Sequence, residues 1–185
     1  MSHKLKKLTL ALISATALMA HAGDKLGTYS PVTDARLQNP EPGNWLMYRG
    51  NYSGWGYSPL EKINSKNVKK LTLAWSSATG VTEGHQAPPI VNNGYMYVTT
   101  PNAQVIALNA ASGKLLWTCG GVRHDRGDLA YSSPIVTEGI CFVTSGFNGV
   151  SLAFRLGGTG DITESRTLWR KEKQPQSIGS GVAVN

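Results

Sequence analysis

The sequence predicts an all-β fold, and three observations support this. Glycine accounts for 21 of the 185 residues, which exceeds the ~7% of ordinary globular domains. Charged residues account for only 16%, against ~25% in such domains. Short apolar runs alternate with turn signals, and this pattern recurs after about 45 residues. Four short strands in a repeat of that length are typical of one propeller blade. We therefore predict a β-propeller of four-stranded antiparallel blades that is incomplete in this chain.

Residues 1–22 are predicted to be a secretory signal peptide. Three lysines precede an apolar run from Leu8 to Ala20, and the small residues Ala20 and Ala22 flank His21. A membrane anchor is the alternative, but ~13 apolar residues rise only about 20 Å as a helix, short of a ~30 Å hydrocarbon core. We expect cleavage after Ala22, no stable membrane insertion afterwards, and a periplasmic location.

Charge and cysteine content exclude several functional classes. The formal net charge is +7, but part of it lies in the leader, and the remaining basic residues form only short runs at Lys69-Lys70 and Arg170-Lys171. Nucleic-acid binding is therefore disfavoured, because it requires a clustered basic surface. The two cysteines, Cys119 and Cys141, define no disulfide framework. Buried free thiols are favoured over a bridge between them.

Residues 23–70 are predicted to be an N-terminal extension with a short helix. Asn64 can cap a helix that buries Val68 and Leu71 and leaves the neighbouring lysines in water. Residues 71–75 resemble a lone outer strand that ends in a tryptophan, as the later repeats do. In a closed ring, such a strand could complete the last blade.

The first complete repeat spans residues 87–117. Tight turns, in which a positive φ has little energetic cost, are predicted at Asn92-Asn93-Gly94 and at Ala111-Ser112-Gly113. The apolar runs between them predict antiparallel strands over residues 88–91, 95–100, 105–109 and 115–117.

A second repeat follows with the same pattern. Ser133-Pro134-Ile135-Val136 repeats Pro88-Pro89-Ile90-Val91, and the repeat ends at Trp169 after a polar, glycine-rich lengthening of its last loop over residues 157–166. A third repeat starts near Gly179. We expect residues 71–185 to form a partial propeller of two blades plus parts of two others, in the N-terminal piece of a longer protein. A two-blade protein that oligomerises into a ring is the alternative.

Two segments carry a family resemblance. Residues 45–75, with Ser58-Pro59-Leu60 and Ile63-Asn64, resemble the start of the mature pyrroloquinoline quinone (PQQ) dependent alcohol dehydrogenases. Residues 83–117 resemble the first blade of that family, with Ala107, Gly113 and Trp117 at positions 1, 7 and 11 of its tryptophan-docking repeat. From Asp128 onward, the chain is more similar to PQQ-like propeller repeats in general.

The resemblance implies two cofactor-binding residues. Gln86 takes the place of a family Glu that contacts PQQ, and its amide can bond to the carboxylates and carbonyls of the quinone. Arg126 corresponds to a family Arg whose guanidinium could face a quinone oxygen. An ordinary polar residue at a strand start and a solvated loop charge are the respective alternatives. Cys119 is followed by Gly120, so the family's pair of adjacent cysteines is missing.

The resemblance assigns no catalytic residue and no metal ligand to this chain. The family's catalytic Asp and remaining calcium ligands lie in later blades, beyond Asn185. The expectation is the N-terminal part of a periplasmic PQQ-dependent dehydrogenase that oxidises a small alcohol or sugar and passes electrons through the quinone to an acceptor. PQQ and calcium are the expected cofactors of the parent protein rather than of this piece alone. The alternative is a non-catalytic propeller scaffold that binds other proteins.

Overall fold

The computed structural model describes residues 29–82, 84–101, 103–120, 131–145, 149–172 and 180–181. They form two β-sheets, preceded by an N-terminal segment with one short α-helix. The predicted signal peptide lies outside these residues, as does Arg126. No helix in the described ranges has the length and apolar character needed to cross a membrane.

The first sheet matches the first predicted repeat within two residues at every strand end. Its first four strands run antiparallel in chain order. At the first turn, Asn93 and Gly94 both have positive φ, of 51° and 83°, as a tight two-residue hairpin requires. The strands are β1 (Ile90–Asn92), β2 (Tyr95–Thr100), β3 (Gln104–Asn109) and β4 (Leu115–Cys119).

The second sheet repeats this arrangement. Its strands are hydrogen-bonded in the order β5-β6-β7-β9, and the two-residue strand β8 (Gly160–Asp161) belongs to the first sheet. In both sheets, the outer tryptophan lies opposite a small residue, because Ala107 pairs with Trp117 and Ala153 pairs with Trp169. The four strands are β5 (Ile135–Thr137), β6 (Ile140–Thr144), β7 (Ser151–Arg155) and β9 (Thr167–Lys171).

The insertion over residues 157–166 is not the simple loop that we predicted. Strand β8 runs parallel to β4 as a fifth strand of the first sheet, and the helix α2 (Thr163–Arg166) follows it. The Ile162 N–H donates to the Thr118 carbonyl at 2.9 Å. Strand β4 would otherwise have unpaired backbone groups along its outer edge. The insertion, which comes from the neighbouring repeat, forms hydrogen bonds with these groups.

The N-terminal helix lies elsewhere than predicted. Helix α1 (Asp34–Gln38) buries Leu37, and the Thr33 hydroxyl accepts the Arg36 N–H at its start. At the predicted position there is only a 3₁₀ turn, Val68–Lys70, and Asn64 Oδ1 accepts the Lys66 N–H instead of capping a helix. The predicted burial of Val68 and Leu71 is wrong, because they remain 46% and 58% exposed. A short helix is stable mainly when its apolar face is buried, and these two side chains find no such cover in the described chain.

The outer strand predicted over residues 71–75 does not form. None of the described strands pairs with this segment, and a strand without a hydrogen-bonded neighbour is not stable. Its tryptophan docks nevertheless. The Trp75 indole N–H donates to the Ala110 carbonyl at 3.2 Å, and the ring lies so close to Gly113 that no Cβ would fit there.

The core lies between the two sheets. Trp117 is 2% exposed and contacts Tyr97 and, edge to face at 5.6 Å, Phe154 of the second sheet. Cys119 and Cys141 are free buried thiols, which confirms the favoured interpretation. Burial raises the pKa of the Cys119 thiol to about 11, so it acts as a small apolar side chain. The other core residues are Ile90, Val105, Ala107, Val136, Val143, Leu152 and Ile162.

Candidate cofactor site

The starts of three successive repeats are joined by hydrogen bonds. The buried Ser133, just before β5, donates from its hydroxyl to the Pro88 carbonyl at 3.0 Å. Its own N–H donates to the Ser180 hydroxyl at 3.0 Å. We call Pro88, Ser133 and Ser180 the seam. Because successive first strands meet there, the seam marks the side on which neighbouring sheets converge, which in a propeller is the side of the central channel.

Gln86 lies two residues before the seam position Pro88. It is exposed, whereas the next residue, Ala87, is buried. Within the described part of the chain, its amide takes part in no hydrogen bond. The exposed side chain thus offers a donor and an acceptor two residues before the seam, without adding negative charge beside an anionic ligand. These properties fit a contact to a carboxylate-bearing quinone.

The N-terminal segment fixes β1, the strand that follows Gln86. Trp45 and Val91 exchange two backbone hydrogen bonds of 2.8 Å, which cover the free edge of β1. At the end of that strand, the buried Asn92 donates to the Ser30 carbonyl at 2.7 Å and accepts from Arg36 at 3.1 Å. The position of Gln86 is therefore set by a strand that is bonded along both edges.

The second predicted residue, Arg126, lies in the undescribed range 121–130, so its role stays a prediction. In the ranges that the structure describes, no three His, Cys, Asp or Glu side chains come together as a metal-binding group. The resemblance itself places the calcium ligands in later blades. The Gln86 amide can both donate and accept hydrogen bonds.

Sequence reasoning did not identify the seam as part of the site. Ser133 and Pro88 occupy the same repeat position, but an isolated serine before a proline carries no signal for a hydrogen bond to a residue 45 positions away. The recurrence of a polar or proline residue at each repeat start was the available clue. Its meaning depends on how the sheets are placed beside each other.

Comparisons with known proteins agree with the fold. The family model "Glucose/ethanol/alcohol dehydrogenase, beta-propeller domain" matches residues 45–147, more than half of the chain. The dehydrogenase subunit of the quinone alcohol dehydrogenase of Gluconobacter oxydans (strain 621H) is 42% identical over 105 residues, covering 57% of this chain and 14% of that protein. The lanthanide-dependent methanol dehydrogenase of Methylacidiphilum fumariolicum (strain SolV) is 26% identical over 91% of this chain and 37% of its own length.

A solved structure shows the same architecture. The quinohemoprotein alcohol dehydrogenase ADHIIG from Pseudomonas putida HK5 superposes with a TM-score of 0.61 and 29% identity, over 80% of this chain and 22% of that one. The two antiparallel sheets are thus confirmed as blades of an incomplete quinoprotein β-propeller. The chain spans only about a seventh of the length of the Gluconobacter relative. With the family model matching from Trp45 through the start of the second repeat, this chain belongs to the PQQ-dependent glucose/ethanol/alcohol dehydrogenase β-propeller family.

Proposed function

We propose that this chain supplies the first blades of a periplasmic PQQ-dependent dehydrogenase that oxidises small alcohols or sugars. The observation that carries the proposal is the exposed, unengaged Gln86 amide beside the seam, in a chain of the quinoprotein family. The leader pattern over residues 1–22 supports export with cleavage after Ala22. An electron acceptor that reoxidises the quinone completes the proposed reaction.

Gln86 would hold PQQ in place rather than react with substrate. Its amide N–H donates to a quinone carboxylate or carbonyl, and its amide oxygen accepts from any protonated oxygen. The seam hydrogen bond to Pro88 holds the backbone just before β1, two residues after Gln86. Arg126 is proposed as a second contact, with a guanidinium fork that suits a carboxylate or quinone oxygen.

When bound, PQQ would supply a two-electron acceptor for the alcohol, beside a base and a Lewis-acidic metal ion. The resemblance places that base, an Asp, and the calcium ligands in later blades. One relative is a lanthanide-dependent enzyme, so calcium and a lanthanide are both to be tested. We expect no alcohol-dependent dye reduction from the 185 residues alone, and dye reduction from a coding frame extended beyond Asn185 that contains this Asp.

The Gln86 contact can be tested by titrating PQQ into the protein encoded by the extended frame and following tryptophan fluorescence. Gln86→Ala is expected to weaken PQQ binding by about ten- to a hundredfold, since a hydrogen bond to a charged group contributes about 1.5–3 kcal/mol. Gln38→Ala, at an exposed glutamine in α1, serves as the matched control and should leave binding unchanged. Equal affinities for the two variants would remove Gln86 from the site.

A non-catalytic scaffold is the second candidate function. The observation that favours it is the end of the family match at residue 147, before strand β7. In a scaffold, the loops would bind other proteins and the converging side would hold no cofactor. Absence of saturable PQQ binding both in this chain and in the extended frame would favour this candidate.

A further inference from the structure

The N-terminal segment lies on the converging side of the two sheets. Trp45 exchanges two backbone hydrogen bonds of 2.8 Å with Val91, at the edge of β1 that faces away from β2. The blades of a propeller surround a central channel, and the first strands of successive repeats meet beside it at the seam. A segment bonded to this edge of β1 therefore lies in the channel. We call residues 29–48 the plug.

The plug also packs against the next two repeats. One cavity wall is shared by Val32, Leu37 and Leu46 of the plug, by Val136 of β5, and by Ser180 at the start of the third repeat. The cavity has a volume of about 30 Å³, enough for about one water molecule. Leu37 and Leu46 are each 5% exposed. The plug is thus packed closely against the converging strands, with no room for a ligand between them.

Arg36 holds the plug in this position. Its guanidinium donates to the Ser30 and Pro31 carbonyls at 3.2 and 2.7 Å, and to Asn92 Oδ1 at the end of β1 at 3.1 Å. It also donates to both carboxylate oxygens of Glu41, at 2.7 and 2.9 Å. These five bonds match the five N–H donors of a guanidinium. Arg36 therefore joins three parts of the plug to the first sheet.

The two ends of β1 differ in their cover. At its far end, the buried Asn92 donates to the Ser30 carbonyl at 2.7 Å, and the Asn93 N–H donates to Asn44 Oδ1 at 2.8 Å. Before its start, residues 84–86 are exposed. The plug therefore covers the end of β1 that is farther along the chain from the proposed cofactor contact.

We propose that the plug closes one end of the central channel, so that cofactor and substrate enter only from the end at which residues 84–86 lie. The identity of the entering ligand rests on the proposed function, whereas the position of the plug does not. The bonds of Trp45 and Arg36 that hold the plug join it to residues of the first repeat. The addition of later blades therefore does not remove them.

Hydrogen exchange, measured at single residues by mass spectrometry on the protein encoded by the extended frame, tests the position of the plug without a cofactor. The Val91 N–H donates to the Trp45 carbonyl, so slow exchange there is expected while the plug is in place. Arg36→Ala should speed this exchange by about tenfold or more, with the amides of β6 and β7 still protected. Arg170→Ala, at an arginine of β9 that pairs with Glu172, should leave it unchanged. Fast exchange at Val91 in the unmutated protein, or equal rates in the two variants, would contradict the proposal.

Two matched glycines test the entrance. Gly43 in the plug and Gly84 at the open end both have free space where a Cβ would lie. A maleimide-linked polyethylene glycol can therefore be attached to Gly43→Cys or Gly84→Cys of the extended protein. Cys119 and Cys141 are buried, and the unmutated protein treated with the same reagent is the control.

The rate of PQQ association, followed by tryptophan fluorescence, is then compared between the labelled proteins. We expect the rate to fall by about tenfold or more in labelled Gly84→Cys and to stay unchanged in labelled Gly43→Cys. Equal rates in the two labelled proteins, whether both slow or both fast, would overturn the single entrance. If no PQQ binds at all, the proposed function fails, while the exchange rate at Val91 still decides where the plug lies.

Discussion

At the residue scale, the Trp75 ring can dock on Gly113 because glycine has no side chain. Gly113 has a φ of 69° and closes the turn between β3 and β4. The Trp75 ring occupies the space where a Cβ would be, and its indole N–H is paired with Ala110. The position therefore favours glycine for two separate reasons, the left-handed backbone and the close ring.

Substituting Gly113 separates these two reasons. Gly113→Ala should lower the free energy of unfolding by about 2–4 kcal/mol, because a backbone penalty of about 1 kcal/mol is added to the displacement of Trp75. Urea unfolding followed by circular dichroism measures the loss. Gly139→Ala is the control, since Gly139 has a φ of 75° but no atom within 4 Å of the place that a Cβ would take. Equal losses at the two positions would show that the ring contact contributes nothing.

At the element scale, the insertion that carries β8 and α2 connects the two sheets. It grows from the second sheet but completes the edge of the first. Thr163 holds it there, because its hydroxyl accepts the Gly120 N–H at 2.9 Å and donates to Asp161 at 2.6 Å. Ile162 is 2% exposed beside this contact. The insertion therefore fixes the relative placement of the sheets from the outer edge, as the seam does from the converging side.

Replacing Thr163 by valine removes the hydroxyl but keeps a side chain of nearly the same size. The substitution therefore tests the hydrogen bonds of the insertion without leaving a cavity. We expect Thr163→Val to lower the free energy of unfolding by about 1–3 kcal/mol, because the Gly120 N–H loses its acceptor. Amide hydrogen exchange should show reduced protection at Gly120 and Ile162. Thr159→Val, at an exposed threonine of the same insertion, should have little effect. Unchanged protection at Gly120 in Thr163→Val would contradict the assigned role.

At the scale of the whole molecule, equivalent tryptophans have different surroundings. Trp117 is covered by the second sheet, whereas Trp169 at the same repeat position is 44% exposed and contacts Phe142 of its own sheet at 5.7 Å. Around this pair is an open cavity whose wall includes Ser151 and Lys171. None of the described residues covers this face as the second sheet covers the first. An uncovered apolar face of this kind promotes association.

We predict that the 185-residue chain self-associates through the Trp169 face. Trp169→Lys should shift the chain toward monomer at about 100 µM, because a charge on the face opposes its burial. Light scattering coupled to size-exclusion chromatography measures the shift. Leu115→Lys, at an exposed leucine of the first sheet, is the control and should leave the oligomeric state unchanged. A wild-type chain that is already monomeric at this concentration would refute the prediction.

Much of the fold followed from local signals. Apolar runs and the Asn93-Gly94 turn placed the strands of the first sheet, because strand alternation and positive φ are set by neighbouring residues, and the repeat of this pattern predicted the second sheet. The insertion was identified as a longer loop, but its strand was missed, since two residues at Gly160–Asp161 have no detectable period. Residues 71–75 were expected to form a strand because their apolar pattern suits one, yet pairing needs a partner that the described chain does not provide.

The amino-acid sequence by itself determined the repeat, the hairpin turns and the tryptophan-docking positions. All of these depend on residue type and spacing along the chain. Only the tertiary structure decided that Ser133 joins three repeat starts, that β8 pairs with β4, and that Trp45 pairs with Val91. Such contacts join residues far apart in the chain, and their formation depends on the relative placement of whole sheets and segments.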